Sequence, residues 1–511
     1  MGHWQDNVSR SRPTSREVKT KRPQSSTRGL RVNLFNCKYE IVQSVAARLN
    51  FKPAEGEEDM WDLYWTDLSV AGERVAKMSA YQRINHFPGM MEICRKASLI
   101  RNLKRMAAQF PEEYSFFPQS FALPQEMEDW KSYVRRGAQS GGKPETFIIK
   151  PDAGAMGRGI YLVQKVEDLD LNTSEFNGWV CQTYVERPFL VDGFKFDLRI
   201  YVLVTSVDPL RIYIHDEGLA RFATVKYQQP SEENIPTRNM HLTNYAVNKL
   251  SKDFVTADGD AHQGSKRKLT ALLNSLAAQG YDTKALWYRV SSLIVKTLLS
   301  ISPQLEHTYH TTCTKSKSDR SSLRHKSRCF ELLGFDVLLD DDLKPWLMEV
   351  NHSPSFNTDT ALDTEVKNAV LHDTIHSLGL SVAARTKYLN HQRKEQQERL
   401  YGATRRKVSL ADHREDYDGS PLRSPPLRSS ILARTNPFAR DSRDLPRWPT
   451  APGLKPRTPK SKDDSSDSSD EDEGPPAIPL RLGGFTCIYP LQGAREQWQH
   501  ILDKSEMLWH V

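Results

Sequence analysis

From Asp192 to Val204 the chain reads DGFKFDLRIYVLV, and this stretch constrains the fold most. Phe194, Phe196 and Leu198 alternate with Lys195, Asp197 and Arg199. That period of two puts three charges on one face of an extended strand and three apolar groups on the other. The strand then runs straight into Ile200-Tyr201-Val202-Leu203-Val204. Charges leading into so apolar a run fit a polar site better than open solvent. A half-exposed edge strand with solvated charges would carry the same alternation.

A second feature narrows the choice. Leu332–Leu339, containing Gly334-Phe335-Asp336-Val337-Leu338-Leu339, and Pro345–Val350, reading Pro345-Trp346-Leu347-Met348-Glu349-Val350, are apolar strands joined by Asp340-Asp341-Asp342-Leu343-Lys344, the composition of a hairpin turn. Glu349 and Asn351 are two apart and share a face, and Asp336 on the preceding strand can point the same way. Burying two carboxylates and an amide in an apolar sheet is costly unless they bind something positive. Hard oxygen donors of this kind suit Mg²⁺. A hairpin whose polar groups satisfy one another is the alternative.

Two further segments carry chemistry. Phe147-Ile148-Ile149-Lys150-Pro151-Asp152 leads into Gly154-Ala155-Met156-Gly157-Arg158-Gly159-Ile160, a strand ending in lysine and then a loop of small residues. Such a loop lets backbone N–H groups approach a phosphate, with the lysine as a point charge; the same glycines also suit a plain hairpin. Met240-His241-Leu242-Thr243-Asn244-Tyr245-Ala246-Val247-Asn248-Lys249 is dense in hydrogen-bonding groups, for which turn or capping duty is the plainer reading.

Around these segments, helical spacing marks Tyr39–Asn50, 92–108, Lys268–Ala278 and Trp287–Ser300. Aromatic residues 60–68 read as a strand, as do Ile160–Gln164, Trp179–Val185 and Arg211–Ile214. Strands and helices mixed in this order predict an α/β (α+β) enzyme with an antiparallel central sheet. The 511 residues allow one large domain or two to three ordinary ones. Mean hydropathy of -0.61 shows the core diluted by polar stretches. These are a basic leader at 1–29, a basic insertion at 314–328, a basic helix-forming region from Arg385 to Lys407, and a Pro/Ser-rich tail ending in the acidic run Asp463–Glu473. The net charge of +7 calls for an acidic partner, whether nucleic acid, anionic membrane or protein. Six scattered cysteines form no CxxC, which excludes a zinc ribbon or disulfide framework and fits a reducing compartment. No apolar run is long enough to span a bilayer and the N-terminus lacks a signal-peptide centre, so the chain reads as soluble, intracellular and without a membrane partner.

Taken together, FIIKP, GRGIYL, DGFKFDLRIYVLV, MHLTNYAVNK, GFDVLLD and PWLMEVNHSPS, in this order, resemble the tubulin tyrosine ligase-like family over about residues 30–380. NYAVNK and the basic region after the core look most like its polyglutamylase branch. The resemblance implies an ATP-grasp fold with N-terminal, central and C-terminal lobes at 30–380. After it come a basic microtubule-binding region at 381–440, a disordered tail at 441–484 and a short C-terminal segment at 485–511, read as a helix. It implies that Lys150, Arg158 and Gly159 hold ATP phosphates and that Gln182, Thr183, Tyr184 and Val185 frame the adenine. Lys195, Asp197, Thr243 and Asn244 contact the nucleotide, and Asp336, Glu349 and Asn351 carry Mg²⁺. Arg221 meets the carboxylate of incoming glutamate beside Tyr245, Ala246, Lys249 and His352. Arg221, Lys195 and Glu349 form the catalytic set. Ala246 stands where some polyglutamylases have Ser, removing one hydroxyl contact.

The activity so implied is ATP- and Mg²⁺-dependent ligation of free glutamate to γ-carboxylates in tubulin C-terminal tails, through an acyl phosphate. The resemblance further implies a monomer in the cytoplasm on the microtubule cytoskeleton, with cilium and basal body by family habit. The basic stretch has only Tyr388 and Tyr401 to stack on bases, which disfavours nucleic acid. Glycylation by the same chemistry and a non-catalytic microtubule-binding protein are the competing expectations.

Overall fold

The computed structural model describes residues 29–57, 59–70, 72–141, 143–154, 156–169, 178–256, 263–313, 327–412, 478–490 and 494–509. The leader, nearly all of the 314–328 insertion and the tail with its acidic run lie outside them. The chain divides into two compact units, Met1–Asn390 with Ala477–Val511, and His391–Pro476.

The first unit is a mixed α/β structure built on three sheets. A parallel N-terminal sheet has the order β2-β1-β3-β4: β1 (Arg31–Asn33), β2 (Lys52–Pro53), β3 (Leu63–Tyr64) and β4 (Arg83–Ile84). Helix α1 (Glu40–Arg48) covers it, burying Ile41, Val42, Val45 and Ala46 at helical spacing. The strand expected over 60–68 contracts to two residues, because its neighbours are used otherwise. Trp61 and Trp65 are buried in the core, and Asp62 accepts from Arg31 N at 2.8 Å and from Arg385 Nη1 at 2.7 Å.

Short helices α2 (Gly72–Lys77) and α3 (Met91–Cys94) precede α4 (Lys96–Gln109). One helix was expected over 92–108; Arg95, extended at ψ 131°, breaks it in two. The α4 first turn has no side-chain cap of its own. Instead Asp152, from the loop that follows the strand Phe147–Pro151, accepts from Ala97 N at 2.8 Å and satisfies one of the unpaired first-turn donors. The break sets Lys96 at the start of a helix aimed at that loop.

The second sheet, antiparallel with the order β5-β8-β6-β7, contains β5 (Ser120–Leu123), β6 (Phe147–Pro151), β7 (Tyr161–Val163) and β8 (Trp179–Thr183), with α5 (Met127–Gln139) against it.

The central sheet is organised by β10 (Phe194–Val207), which follows the short β9 (Leu190–Val191). Its front half pairs with β12 (Leu219–Phe222), its back half with β11 (Leu210–His215), and its other edge with β14 (Glu331–Leu339). β13 (Lys266–Lys268) extends the sheet beyond β12 and β15 (Pro345–Asn351) beyond β14. Phe196, Leu198, Ile200, Val202 and Val204 face one core, with residues of α4, α9 (Thr283–Leu299) and α10 (Ser302–Cys313). Tyr201 and Leu203 face a second core, with α1 and α11 (Ala361–Ser377). At about 1.5–3 kcal/mol for each buried apolar side chain, this strand is a principal source of stability. Lys195, Asp197 and Arg199 occupy the front of the second face. The period read from the sequence is the period observed.

The β14–β15 turn is closed by Asp340, whose Oδ1 accepts from Asp342 N at 3.1 Å and Lys344 N at 2.8 Å. Between β12 and β13 lie α6 (Arg238–His241) and α7 (Tyr245–Asn248), and α8 (Leu269–Ala278) follows β13. Helix α12 (Val382–Asp412) begins after α11. The end of the chain enters as strand before it turns helical. β16 (Arg481–Leu482) and β17 (Phe485–Tyr489) lengthen the central sheet past β11, and α13 (Ala494–Trp509) buries Trp498 and Ile501 in the first core. Among the described residues, no helix is long and apolar enough to cross a membrane.

Candidate functional site

Strand register aligns the charges. Asp197 lies opposite Arg221 on β12, Arg199 opposite Asp336 on β14, and Asp336 opposite Glu349 on β15. Arg221 donates to Asp197 through Nε at 2.7 Å and Nη2 at 2.5 Å, and its Nη2 lies 2.8 Å from Asp336 Oδ2. Arg199 donates to both oxygens of Asp336, at 2.6 and 3.0 Å. All four side chains are buried, and removing one partner of such a network costs about 3–5 kcal/mol.

Above this row opens a cleft enclosing about 610 Å³ continuous with solvent. Ile148, Ile160, Leu338 and Met348 give it apolar surfaces; Lys150, Lys195, Asp197, Thr243, Asn244, Asp336 and Glu349 supply polar groups; and Thr183, Tyr184 and Val185 line it as one strand exit. Apolar walls with a few convergent polar groups are the usual form of a ligand site. Lys195 Nζ donates to Tyr184 OH at 2.8 Å, and that hydroxyl meets His241 Nδ1 at 3.1 Å. Burial pushes Lys195 down to about 7, helped by the charge on Lys150. Burial likewise brings Lys150 to about 8. His241 falls to about 4 through burial and the Lys195 charge, so it is neutral and accepts from Tyr184. Two ammonium groups in one apolar-walled cleft, short of counter-ions, suit a polyanion such as a polyphosphate.

The acidic end has the opposite need. Burial alone would raise Asp336, but Arg199 and Arg221 hold it well below the usual carboxylate range. Glu349 is raised by burial and by the charge of Asp336, and a side-chain hydrogen bond joins the two carboxyls. Asn351 Nδ2 donates to Glu349 Oε1 at 3.3 Å and to Gly334 O at 3.2 Å, so its amide turns toward the pair. Two buried carboxyls side by side, one of them raised by the charge of the other, would be relieved by a cation, and their oxygen donors fit Mg²⁺.

The sequence profile of the tubulin-tyrosine ligase family matches residues 74–387, which contain every strand of this charged row. The chain belongs to that family. It is 46% identical over 389 residues to the protein named tubulin polyglutamylase ttll6 of Danio rerio, and 47% over 362 residues to tubulin polyglutamylase TTLL6 of Mus musculus. Tubulin polyglutamylase TTLL13 of Homo sapiens is 46% identical over 374 residues. These matches cover 76%, 71% and 73% of this chain but 47%, 42% and 44% of those proteins, so the chain spans less than half the length of the relatives it matches.

In this tubulin-tyrosine ligase family chain, some expected site residues stand apart from the cleft. Gln182 does not line it: its Oε1 accepts from Lys150 Nζ at 2.7 Å and its Nε2 donates to Ser120 Oγ at 3.0 Å, which fixes the lysine from behind. Arg158 and Gly159 are exposed on the glycine loop. That loop is tied down at Gly157, whose carbonyl accepts from Arg238 at 2.5 Å. Tyr245, Ala246 and Lys249 sit on or just after α7, with Lys249 Nζ 3.8 Å from Asp359. His352, held at about 4 by burial and the His86 charge, packs 5.6 Å from the His86 ring.

The sequence reading missed Lys96. Its Nζ donates to Gly154 O at 2.8 Å and lies 3.8 Å from Glu349 Oε2, joining the glycine loop to the acidic pair. No local pattern marks it, since both partners are remote in sequence and only the α3–α4 break brings it there. Arg199 was legible as a strand charge, but not as the second clamp on Asp336.

Proposed function

We propose that this chain is an ATP-dependent amino-acid ligase of the polyglutamylase type, built on an ATP-grasp fold, joining free glutamate to γ-carboxylates of an acidic tubulin tail. The observation that carries this reading is the charge arrangement of the cleft. Two under-compensated lysines face the adjacent carboxyls of Asp336 and Glu349 across apolar walls, which suits a nucleoside triphosphate at one end and a divalent cation at the other. The names of the relatives supply the tubulin substrate.

In this reading Lys150 and Lys195 bind the ATP phosphates, with Gln182 and Tyr184 holding the two lysines. The strand exit Thr183–Val185 lies along the adenine, and Asp197, Thr243 and Asn244 lie along the rest of the nucleotide. Asp336, Glu349 and Asn351 would hold Mg²⁺, which supplies charge neutralisation for phosphoryl transfer. Lys96 holds the glycine loop over the phosphates.

The chemistry follows from the weakness of a carboxylate as an electrophile. An oxygen of the acceptor γ-carboxylate attacks the γ-phosphorus and ADP leaves, giving an acyl phosphate. The deprotonated amine of free glutamate attacks its carbonyl carbon, and inorganic phosphate leaves with the acceptor oxygen. Lys150 and Lys195 offset the charge that builds on the phosphoryl oxygens. The basic helix α12 gives an acidic microtubule surface a place to bind, with the wider region 381–440 as the expected extent. A tail peptide carrying ¹⁸O in its glutamate carboxylates tests the route: inorganic phosphate should contain one ¹⁸O per ligation. Unlabelled phosphate formed alongside ligated product would refute the acyl phosphate.

A further inference from the structure

Two of the six cysteines, separated in sequence by the basic insertion 314–328, meet outside the cleft. Cys313 ends α10, and Cys329 lies two residues before β14. Both are buried in the first core, and their thiols hydrogen-bond to each other. The backbone around them is fixed from both sides. Arg328 Nη1 donates to Cys313 O at 3.0 Å and closes the C-terminal end of α10. One turn back on that helix, Tyr309 OH accepts from Arg328 N at 2.9 Å. Ser327 Oγ donates to Cys329 O at 2.7 Å and accepts from Cys329 N at 3.3 Å. Ile84 N donates to Arg328 O at 3.1 Å and Phe330 N to Ile84 O at 3.0 Å, which seats Cys329 against β4.

The two sulfurs differ in chemistry from the other four and from each other. Burial pushes the thiols of Cys37, Cys94, Cys181 and Cys487 up, which makes them poor nucleophiles. Cys313 is the exception. The hydrogen bond from Cys329 brings its thiol down, and the Arg328 guanidinium adds to that effect against the opposing push of burial. Cys329 is held up by burial and then by its hydrogen bond to Cys313. A sulfur inclined to ionise, beside one that keeps its proton, is the pairing of an attacking thiol with a resolving thiol. In reducing compartments disulfides are mostly transient ones of this kind.

We infer that Cys313 and Cys329 form an oxidation site, a dithiol that a small hydroperoxide converts reversibly to a disulfide clamping the end of α10 to the start of β14. The Cys313 thiolate attacks one peroxide oxygen. The S–O bond forms, the O–O bond breaks, and the departing hydroxide takes up a proton and leaves as water. The Cys329 sulfur then attacks the Cys313 sulfur. The S–S bond forms, the S–O bond breaks, and hydroxide leaves with the Cys329 proton as a second water. Two electrons pass from the sulfurs to the peroxide, and an external dithiol returns them. Burial selects the oxidant, because hydrogen peroxide is little larger than water whereas a bulky disulfide must form a mixed disulfide for which the core has no room. The inference stands apart from the ligase reading.

The test treats the full chain with hydrogen peroxide, blocks the remaining thiols with N-ethylmaleimide under denaturing conditions, and maps the unreduced peptides by mass. A Cys313–Cys329 linked peptide should appear, two of the six thiols should be lost, and dithiothreitol should restore them. Glutathione disulfide at the same concentration should leave the pair reduced. Cys329→Ser should leave Cys313 as a sulfenic acid that dimedone traps, whereas Cys313→Ser should leave Cys329 unmodified. The oxidised wild-type chain should unfold at a higher temperature than the reduced one, because the disulfide closes the chain across 314–328. A pair that stays reduced in peroxide, oxidation of Cys37 or Cys94 ahead of it, or a disulfide joining other cysteines would overturn the inference. So would an oxidised chain no more stable than the reduced one. Mapping of the wild-type chain decides the question even where a serine variant does not fold.

Discussion

In the proposed function Lys195 and Lys150 set how tightly the cleft holds a polyphosphate, and pH perturbs both without altering a side chain. In the free protein they titrate at about 7 and about 8, chiefly through burial. A bound polyphosphate favours their charged forms, so their pKa values rise in the complex and binding takes up protons. The sign follows: affinity is fullest below the free-protein pKa values and is lost as pH rises through them. Between about pH 6.5 and about pH 8.5 the charged fraction falls from about three-quarters to about 3% for Lys195, and from nearly all to about one-quarter for Lys150. If both are charged in the complex and titrate independently, ATP affinity falls about 100-fold over that span. Lys195→Arg, whose guanidinium does not titrate there, should leave only the Lys150 contribution, about fourfold. Calorimetry with a non-hydrolysable ATP analogue, in buffers of different ionisation enthalpy, reads affinity and proton uptake together. Affinity flat or rising with pH, or the same slope in Lys195→Arg as in wild type, would refute the assignment of these lysines to the phosphates.

Three other outcomes are expected. Ending the chain at residue 477 strips β17 from β11 and uncovers what Phe485, Tyr489, Trp498 and Ile501 bury, at a cost of roughly 5 kcal/mol or more. Thermal unfolding should show a large drop, and an unchanged midpoint would contradict the packing described. Gly157→Ala places a Cβ 2.9 Å from Val247 and 3.3 Å from Asn244 at a backbone φ of +74°. The strain of about 1–2 kcal/mol should appear as a raised KM for ATP, and an unaltered KM would separate the loop from the nucleotide. Because Glu349 is protonated more readily than an ordinary carboxyl, Mg²⁺ binding in the presence of ADP should release a proton and weaken as pH falls. Glu349→Gln should lose that pH dependence, and its persistence would exclude Glu349 as a ligand.

The parts of this site that lie within one strand or one hairpin are legible in the sequence. Alternation from Phe194 to Arg199 and the pairing of Asp336 with Glu349 need only the period of a strand and a short turn. What escaped the sequence depends on residues remote in the chain. Lys96 reaches Glu349 because Arg95 breaks a helix and Asp152 pins the next one. The sharing of Asp363 by Lys266 and Lys367 needs α11 to fold back onto β13. Phe485–Tyr489 carries no strand pattern strong enough to stand alone; it is extended because β11 offers an open edge. Local periodicity thus exposed the elements, while the contacts between remote elements came from tertiary packing.

In the proposed function the Asp336–Glu349 end of this cleft serves ligation of glutamate to tubulin. Intact-mass analysis of microtubules incubated with the full chain, Mg-ATP and glutamate or glycine, with Glu349→Gln in parallel, tests it most directly. Mass steps of one glutamate residue are expected with the wild-type chain, and none with Glu349→Gln. Steps of glycine, or an unmodified tubulin that the protein still binds, would contradict it.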